Sequence, residues 1–217
     1  MESVLEQMKA SPILPKLLAE LNTMLANEKA LRTEFYNAIT EGDKAEFING
    51  EIVMHSPVML RHSNASQLIY RAMSTFVDLA DAGVVSHEKS MMECSRNSYE
   101  PDVAYWGKHK ADKFTPQQLL FPPADLVVEI TSKSTEANDR GVKFEDYAAH
   151  GIGEYWIVNP EQRTVEQYLL EQAVYVLAEK KKAGIIESVV LKGFNLPVPA
   201  VFDKAANMAF VKQLLAG

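Results

Sequence analysis

The sequence predicts an α/β (α+β) fold in which a central mixed sheet is flanked by helices, with a helical extension at the N-terminus. Three observations carry this. "DLVVEIT" (Asp125–Thr131) and "EYWIVNP" (Glu154–Pro160) are apolar, β-branched or aromatic runs of strand length. Between them "DRGVKFEDYAAHG" has helical spacing and a closing glycine, so a strand–helix–strand unit sits in mid-chain. The remaining strands are short and separated by polar turns, as antiparallel additions to such a sheet are.

Taken in order, residues 1–40 read as helical. Leu14, Leu17, Leu18, Leu21, Met24 and Leu25 form an amphipathic stripe, and the region of Pro12 and Pro15 marks its start. That extension is distinguished from the main domain, 41–217. "AEFINGEIVMHSP" reads as a hairpin about Asn49-Gly50, the preferred pair of a type I′ turn. "RHSNASQLIYRAMSTFVDLADAG" reads as a helix closed by Gly83, with His62, Ser66, Ile69, Met73, Phe76 and Ala80 along its inward face. "GVVSHEKSMME" and "YEPDVAYW" each read as one strand, and Lys108–Pro123 as a loop with one helical turn. After "EYWIVNP", the segments "TVEQYLL", "AVYVLAE" and "IIESVVL" read as antiparallel strands. A C-terminal helix is predicted over Lys204–Leu215.

Composition narrows the function. Hydrophobic residues make up 47% of the 217, ordinary for a folded core and against disorder. No apolar run reaches membrane-span length, and the acidic start "MESVLEQMKA" lacks a signal-peptide apolar region; a cytoplasmic protein is expected. Cys94 is the one cysteine, which excludes a disulfide framework within the chain. A formal charge of −7 argues against broad nonspecific nucleic-acid binding, while leaving room for a local basic groove.

Within "DLVVEIT" a carboxylate, Glu129, interrupts a run that otherwise reads as buried on both faces. An ionised carboxylate taken out of water costs several kcal/mol unless it is paired, protonated or bound to a metal. Alternation in "EPDVAYW" groups Asp102 with Ala104 and Trp106, and in "DLVVEIT" it groups Glu129 with Val127 and Thr131. If the two strands are neighbours, Asp102 and Glu129 reach one end of the sheet together. Two such carboxylates call for a hard cation or a shared proton, and oxygen-only ligation suits Mg²⁺ or Mn²⁺. Asp139, Lys143 and Tyr147 share one helical face, and a lysine there can orient an attacking water or balance phosphate charge. Plainer readings stand beside these. Asp102 could cap a turn, Glu129 could pair with Lys143 structurally, and Tyr147 and His62 could be core residues.

"YEPDVAYW", "ADLVVEITSKST", "NDRGVKFEDYAAHGIGEYWIVNP" and "TVEQY" resemble the Uma-two family of restriction endonucleases, within the PD-(D/E)xK nuclease-like superfamily. The resemblance runs from "AEFINGEI" through "SPVMLRH" to about Phe202 and leaves most of the first forty residues outside. It implies a restriction-endonuclease-like fold, with Asp102 in the PD position and Glu129 in the (D/E) position. It implies a Mg- or Mn-dependent DNA endonuclease holding its metal on Asp102 and Glu129, with His62 and Tyr147 in support. Two departures follow. Thr131 stands where the superfamily pattern has lysine, so Lys143 takes that role, with Lys133 in the flexible "TSKSTEAND" loop the weaker candidate. No acid on the first helix matches the pattern, and Glu51 or Glu46 of the hairpin could substitute. The alternative from another class is a catalytically inactive nuclease-fold scaffold that binds nucleic acid or a protein partner. Ser-His-Asp hydrolase chemistry is disfavoured, because no G-x-S-x-G elbow occurs. A homodimer is expected, since nucleases that cut both strands often work as two-fold pairs and the N-terminal stripe offers an apolar face.

Overall fold

Asn49 and Gly50 both take positive φ, 51° and 87°, as their turn requires. The computed structural model describes residues 4–40 and 42–217. Its contacts divide the chain into two compact units, Met1–His55 with Ser95–Ser98, and Ser56–Cys94 with Tyr99–Gly217. The first holds α1 (Val4–Ala10) and α2 (Leu14–Ala38), then β1 (Ala45–Ile48) paired antiparallel with β2 (Glu51–Met54). Pro15 sits in the first turn of α2, where its missing N–H is harmless. Phe35 is buried on that helix and lies 5.9 Å from the Phe47 ring. The stripe residues Leu18, Leu21, Met24 and Leu25 are exposed. Arg96 clamps Glu28 with two 2.7 Å hydrogen bonds, which hold that carboxyl below its ordinary range.

The second unit begins with α3 (Leu60–Ala80), followed by β3 (Gly83–His87) and β4 (Met91–Glu93). The two-residue β5 (Ser98–Tyr99) is followed by β6 (Val103–Gly107), α4 (Lys108–Ala111), β7 (Leu120–Phe121) and β8 (Leu126–Ile130). Next come α5 (Glu136–Asp139), α6 (Val142–Ala149), β9 (Glu154–Asn159), β10 (Thr164–Glu171) and β11 (Val174–Lys181). The chain ends in β12 (Ile185–Glu187), β13 (Asn195–Pro197), α7 (Val198–Phe202) and α8 (Lys204–Leu215). The main sheet has the order β11-β10-β9-β8-β6-β3. Only β8 and β9 run parallel in it, joined by α5 and α6; the other neighbours are antiparallel. This is the mixed sheet with flanking helices that the sequence predicts.

Alternation assigns the two faces. Val103, Tyr105, Leu126, Val128, Ile130, Trp156 and Val158 share one core with Ala65, Ile69, Met73 and Val77 of α3. Burial of these side chains contributes roughly 1.5–3 kcal/mol each. The residues between them, including Val127, Glu129 and Tyr155, therefore turn to the opposite face. There Tyr155 meets Tyr147 of α6 edge to face, with ring centroids 5.3 Å apart.

Several segments depart from the reading above, each for a local reason. "GVVSHEKSMME" is two strands, because Glu88 and Lys89 both adopt positive φ (55° and 46°) and turn the chain. "YEPDVAYW" is likewise divided, the ladder breaking over Glu100–Asp102 where Pro101 has no N–H to donate. α3 is closed by Asp81 in the left-handed conformation rather than by Gly83. Gly83 instead serves close approach: a Cβ there would lie 2.1 Å from the Trp106 carbonyl oxygen. The helix after β8 starts earlier than expected and breaks at Arg140-Gly141 into α5 and α6, and a Cβ at Gly141 would stand 2.7 Å from the Ala137 carbonyl oxygen. "IIESVVL" does not extend the main sheet; Ile185–Glu187 pairs with Asn195–Pro197 in a separate ribbon. The C-terminal helix spans Lys204–Leu215 as predicted, capped by Asp203 Oδ1 accepting from Ala206 N–H at 2.8 Å.

Candidate active site

β6 and β8 are antiparallel neighbours with Val103 opposite Val128 and Ala104 opposite Val127. Asp102 stands just ahead of β6 and Glu129 near the end of β8, so the two lie towards one end of the sheet, Glu129 against α6 and Asp102 within reach of the first turn of α3. Both carboxylates are buried. The Ile130 backbone N–H donates to Asp102 Oδ2 at 2.8 Å, which ties the Asp102 side chain to the end of β8. His62 reaches the same oxygen from the first turn of α3. Its Nε2 is 3.3 Å from Asp102 Oδ2 and its ring is buried; its Nδ1 has no hydrogen-bond partner among the described residues.

Glu129 is met by α6. Lys143 Nζ donates to Glu129 Oε1 at 3.0 Å, and the Tyr147 hydroxyl donates to the same oxygen at 2.8 Å. Both donors come from one helical face, one turn apart. Lys143 Nζ also lies 3.7 Å from Asp139 Oδ1, so the Asp139–Lys143–Tyr147 alignment survives the break at Gly141. The Tyr155 hydroxyl donates to the Asp139 carbonyl at 3.0 Å and fixes the end of α5. Thr131 turns elsewhere. Its N–H and hydroxyl both go to the Val158 carbonyl, at 2.8 and 3.3 Å. The side chain two residues beyond Glu129 thus serves β9, and the nearby cation comes from the helix.

Lys133 is exposed in a turn closed by its neighbours: Ser132 N–H donates to Thr135 Oγ1 at 3.1 Å and Thr135 N–H to Ser132 Oγ at 3.3 Å. Glu51 is exposed at the start of β2 in the first unit. Glu46 in the same hairpin is buried, with His55 Nε2 3.3 Å from its Oε2. Sequence reasoning missed Tyr99. Its ring lies edge-on to Tyr147 at 5.2 Å and 5.8 Å from Lys143 Nζ, and its hydroxyl donates to Asp146 at 2.7 Å. A two-residue strand carries no periodicity, so only its place three residues before Asp102 could have marked it. A groove of about 440 Å³ lies at the other end of the same strands, lined by Tyr105, Gly107, Asp125 and Gly153 among others.

Arg140, beside the break that aims Lys143, is held by β10. Its guanidinium grips Glu166 with bonds of 2.6 and 3.1 Å, and Lys180 reaches the same carboxylate at 2.8 Å. Burial pushes the Glu166 carboxyl up, but hydrogen bonds from Arg140, Lys180 and Tyr168 outweigh it and hold the group at about 2.

The comparisons with known proteins concern this mixed α/β fold and its family. Among solved structures, a chain described as a "putative nuclease belonging to DUF820" from Anabaena variabilis ATCC 29413 is similar. The TM-score is 0.67 at 15% identity, over 82% of this chain and 97% of that one, a likeness of fold. The Uma2 family, described as "Putative restriction endonuclease", matches residues 32–199, and the chain belongs to it. Curated proteins contain no match. No helix among the described residues is long and apolar enough to cross a membrane.

The lowered pKa of Glu166 has a pH signature. A carboxyl depressed in the folded state contributes stability above its unfolded value, roughly 4.3, and that contribution is lost as pH falls towards 2. Glu166→Gln should therefore flatten the fall of the urea midpoint between those pH values. An unchanged slope would show that other carboxyls carry the acid sensitivity.

Proposed function

We propose that this protein is a metal-dependent DNA endonuclease, hydrolysing phosphodiester bonds at a PD-(D/E)xK-like site with a displaced lysine. Family membership and the fold of the similar nuclease support the nuclease class. The observation that carries the site is Lys143 reaching Glu129 at 3.0 Å from the helix after β8, while Thr131 is committed to Val158.

The donor set suits a hard cation. Two buried carboxylates from adjoining strand ends offer oxygen alone, and oxygen ligation favours Mg²⁺ or Mn²⁺. When bound between Asp102 and Glu129, such a cation would acidify water and neutralise charge on the phosphate. The chain's own groups supply the rest. Tyr147 holds Glu129 by its Oε1, and the Ile130 amide holds Asp102 by its Oδ2, so neither carboxylate must be ordered when substrate arrives. Lys143 is placed to orient the attacking water and to offset the growing negative charge in an in-line displacement. His62, with Nε2 at the Asp102 end, is placed to donate to a phosphate oxygen.

A second reading has one observation in its favour. Lys143 already gives Glu129 an internal counter-ion, so the carboxylate can stay buried with no metal. Under that reading the chain is an inactive nuclease-fold scaffold for nucleic acid or a protein partner. Cutting both strands of DNA calls for two sites, and the exposed stripe of α2 supports a homodimer through that helix. A monomer in sedimentation at working concentration would reject the dimer.

Nuclease assays on plasmid, single-stranded DNA and RNA with Mg²⁺ or Mn²⁺ separate the two functional readings, with Glu129→Ala as the inactive control. Lys143→Ala should lower turnover at least about 10²-fold, as expected for one preorganised transition-state contact, with its circular dichroism retained. Lys133→Ala should only weaken DNA binding and its salt dependence, as for a single phosphate contact. The reverse pattern would place the lysine on the wrong element. Wild-type protein silent on every substrate would favour the scaffold.

A further inference from the structure

Away from Asp102 and Glu129, a second group of ligating side chains comes together at the far end of α6. Cys94 Sγ, a carboxylate oxygen of Asp146 and a ring nitrogen of His150 all lie within 4.8 Å of one another. Cys94 is the residue after β4, whereas Asp146 and His150 are one turn apart on α6 and its C-cap. Two elements distant in sequence thus present three donors of different kind. We propose that Cys94, Asp146 and His150 form a binding site for a borderline-soft divalent cation of the Zn²⁺ type, separate from the candidate active site.

Donor chemistry argues for this cation class. A thiolate with an imidazole and a carboxylate is a Zn²⁺ set, whereas Mg²⁺ and Ca²⁺ prefer oxygen alone. Thiolate and carboxylate together carry two negative charges, which the cation cancels where the thiol is buried and the other two groups are half-buried. Three protein ligands leave a fourth tetrahedral position for water. Bonds of roughly 2.0–2.3 Å hold tetrahedral donors about 3.3–3.8 Å apart, so these donors, within 4.8 Å of one another, need to close by about 1.5 Å at most. That is within the reach of side-chain torsions.

The surroundings are those of a ligated trio. His150 Nδ1 is 2.8 Å from the Asp146 backbone carbonyl, which can only accept, so the neutral ring donates there and keeps its lone pair on Nε2. The Tyr99 hydroxyl donates to Asp146 Oδ2 at 2.7 Å and fixes the carboxylate plane, as outer partners of metal ligands do. The apo state has a plain account too, a His150–Asp146 pair at 3.0 Å beside a buried thiol, and the experiment must distinguish the two.

Cobalt(II) titration does so, because a cysteine thiolate gives bound Co²⁺ a near-ultraviolet charge-transfer band and tetrahedral geometry gives intense visible bands. Both should appear at one equivalent of Co²⁺ in wild-type protein and disappear on adding Zn²⁺. They should persist in Asp102→Ala, which isolates this site from the candidate active site. Cys94→Ser should abolish the charge-transfer band, and His150→Gln, at a less buried position, should weaken Co²⁺ binding at least tenfold with the fold unchanged. Absence of the band in wild type at equimolar Co²⁺ would overturn the proposal, as would bands that survive Cys94→Ser. If His150→Gln binds as tightly as wild type, the trio is not the site.

Discussion

A carboxylate taken out of water in the middle of a sheet must be answered by its neighbours, and in this chain Glu129 sets the arrangement around it. Its flanking residues Val128 and Ile130 commit β8 to the core shared with α3, so Glu129 has to face the other layer. That layer is α6, and two of its side chains converge on one oxygen of Glu129. Leaving a buried carboxylate without such donors costs roughly 1–3 kcal/mol or more, which is why the position of α6 and the chemistry of Glu129 cannot be set independently. The break at Gly141 belongs to the same requirement. It lets α5 and α6 follow each other at close quarters, with Asp139 still beside Lys143.

The same logic explains a different outcome at Glu154, one strand over. This carboxylate is fully buried, and it accepts from Trp156, Gln167, Ser188 and the backbone N–H groups of Val189 and Val190 at 2.6–2.9 Å. Neutral donors surround it from both sides, and it ties the β12 region to the main sheet. Glu129, by contrast, is met by a lysine and a tyrosine from one helix. Burial alone does not mark a reactive carboxylate. The company it keeps does.

Much of this was legible in the sequence because it depends on period and spacing. The four-residue spacing of Asp139, Lys143 and Tyr147 described a face that the structure retains. The inward position of His62 followed from the stripe of α3. What was not legible depends on contacts between distant segments or on single backbone conformations. Nothing in "SHEKSMM" announces that Glu88 and Lys89 both adopt positive φ and separate two strands. The exile of "IIESVVL" to its own ribbon reflects pairing with Asn195–Pro197, which local propensity cannot choose. Tyr99 and the Cys94–Asp146–His150 group are assembled by the fold, from residues that carry no motif.

The central proposal is that Asp102 and Glu129 together hold one hard cation. A crystal structure grown with Mn²⁺ and read by anomalous scattering tests it most directly. The account predicts a peak between the two side chains, with oxygen from each at about 2.1 Å, the bond length of hard six-coordinate cations of this size. No peak there at saturating Mn²⁺, with Lys143 still bonded to Glu129 Oε1, would contradict it and leave the pair as a buried structural ion pair.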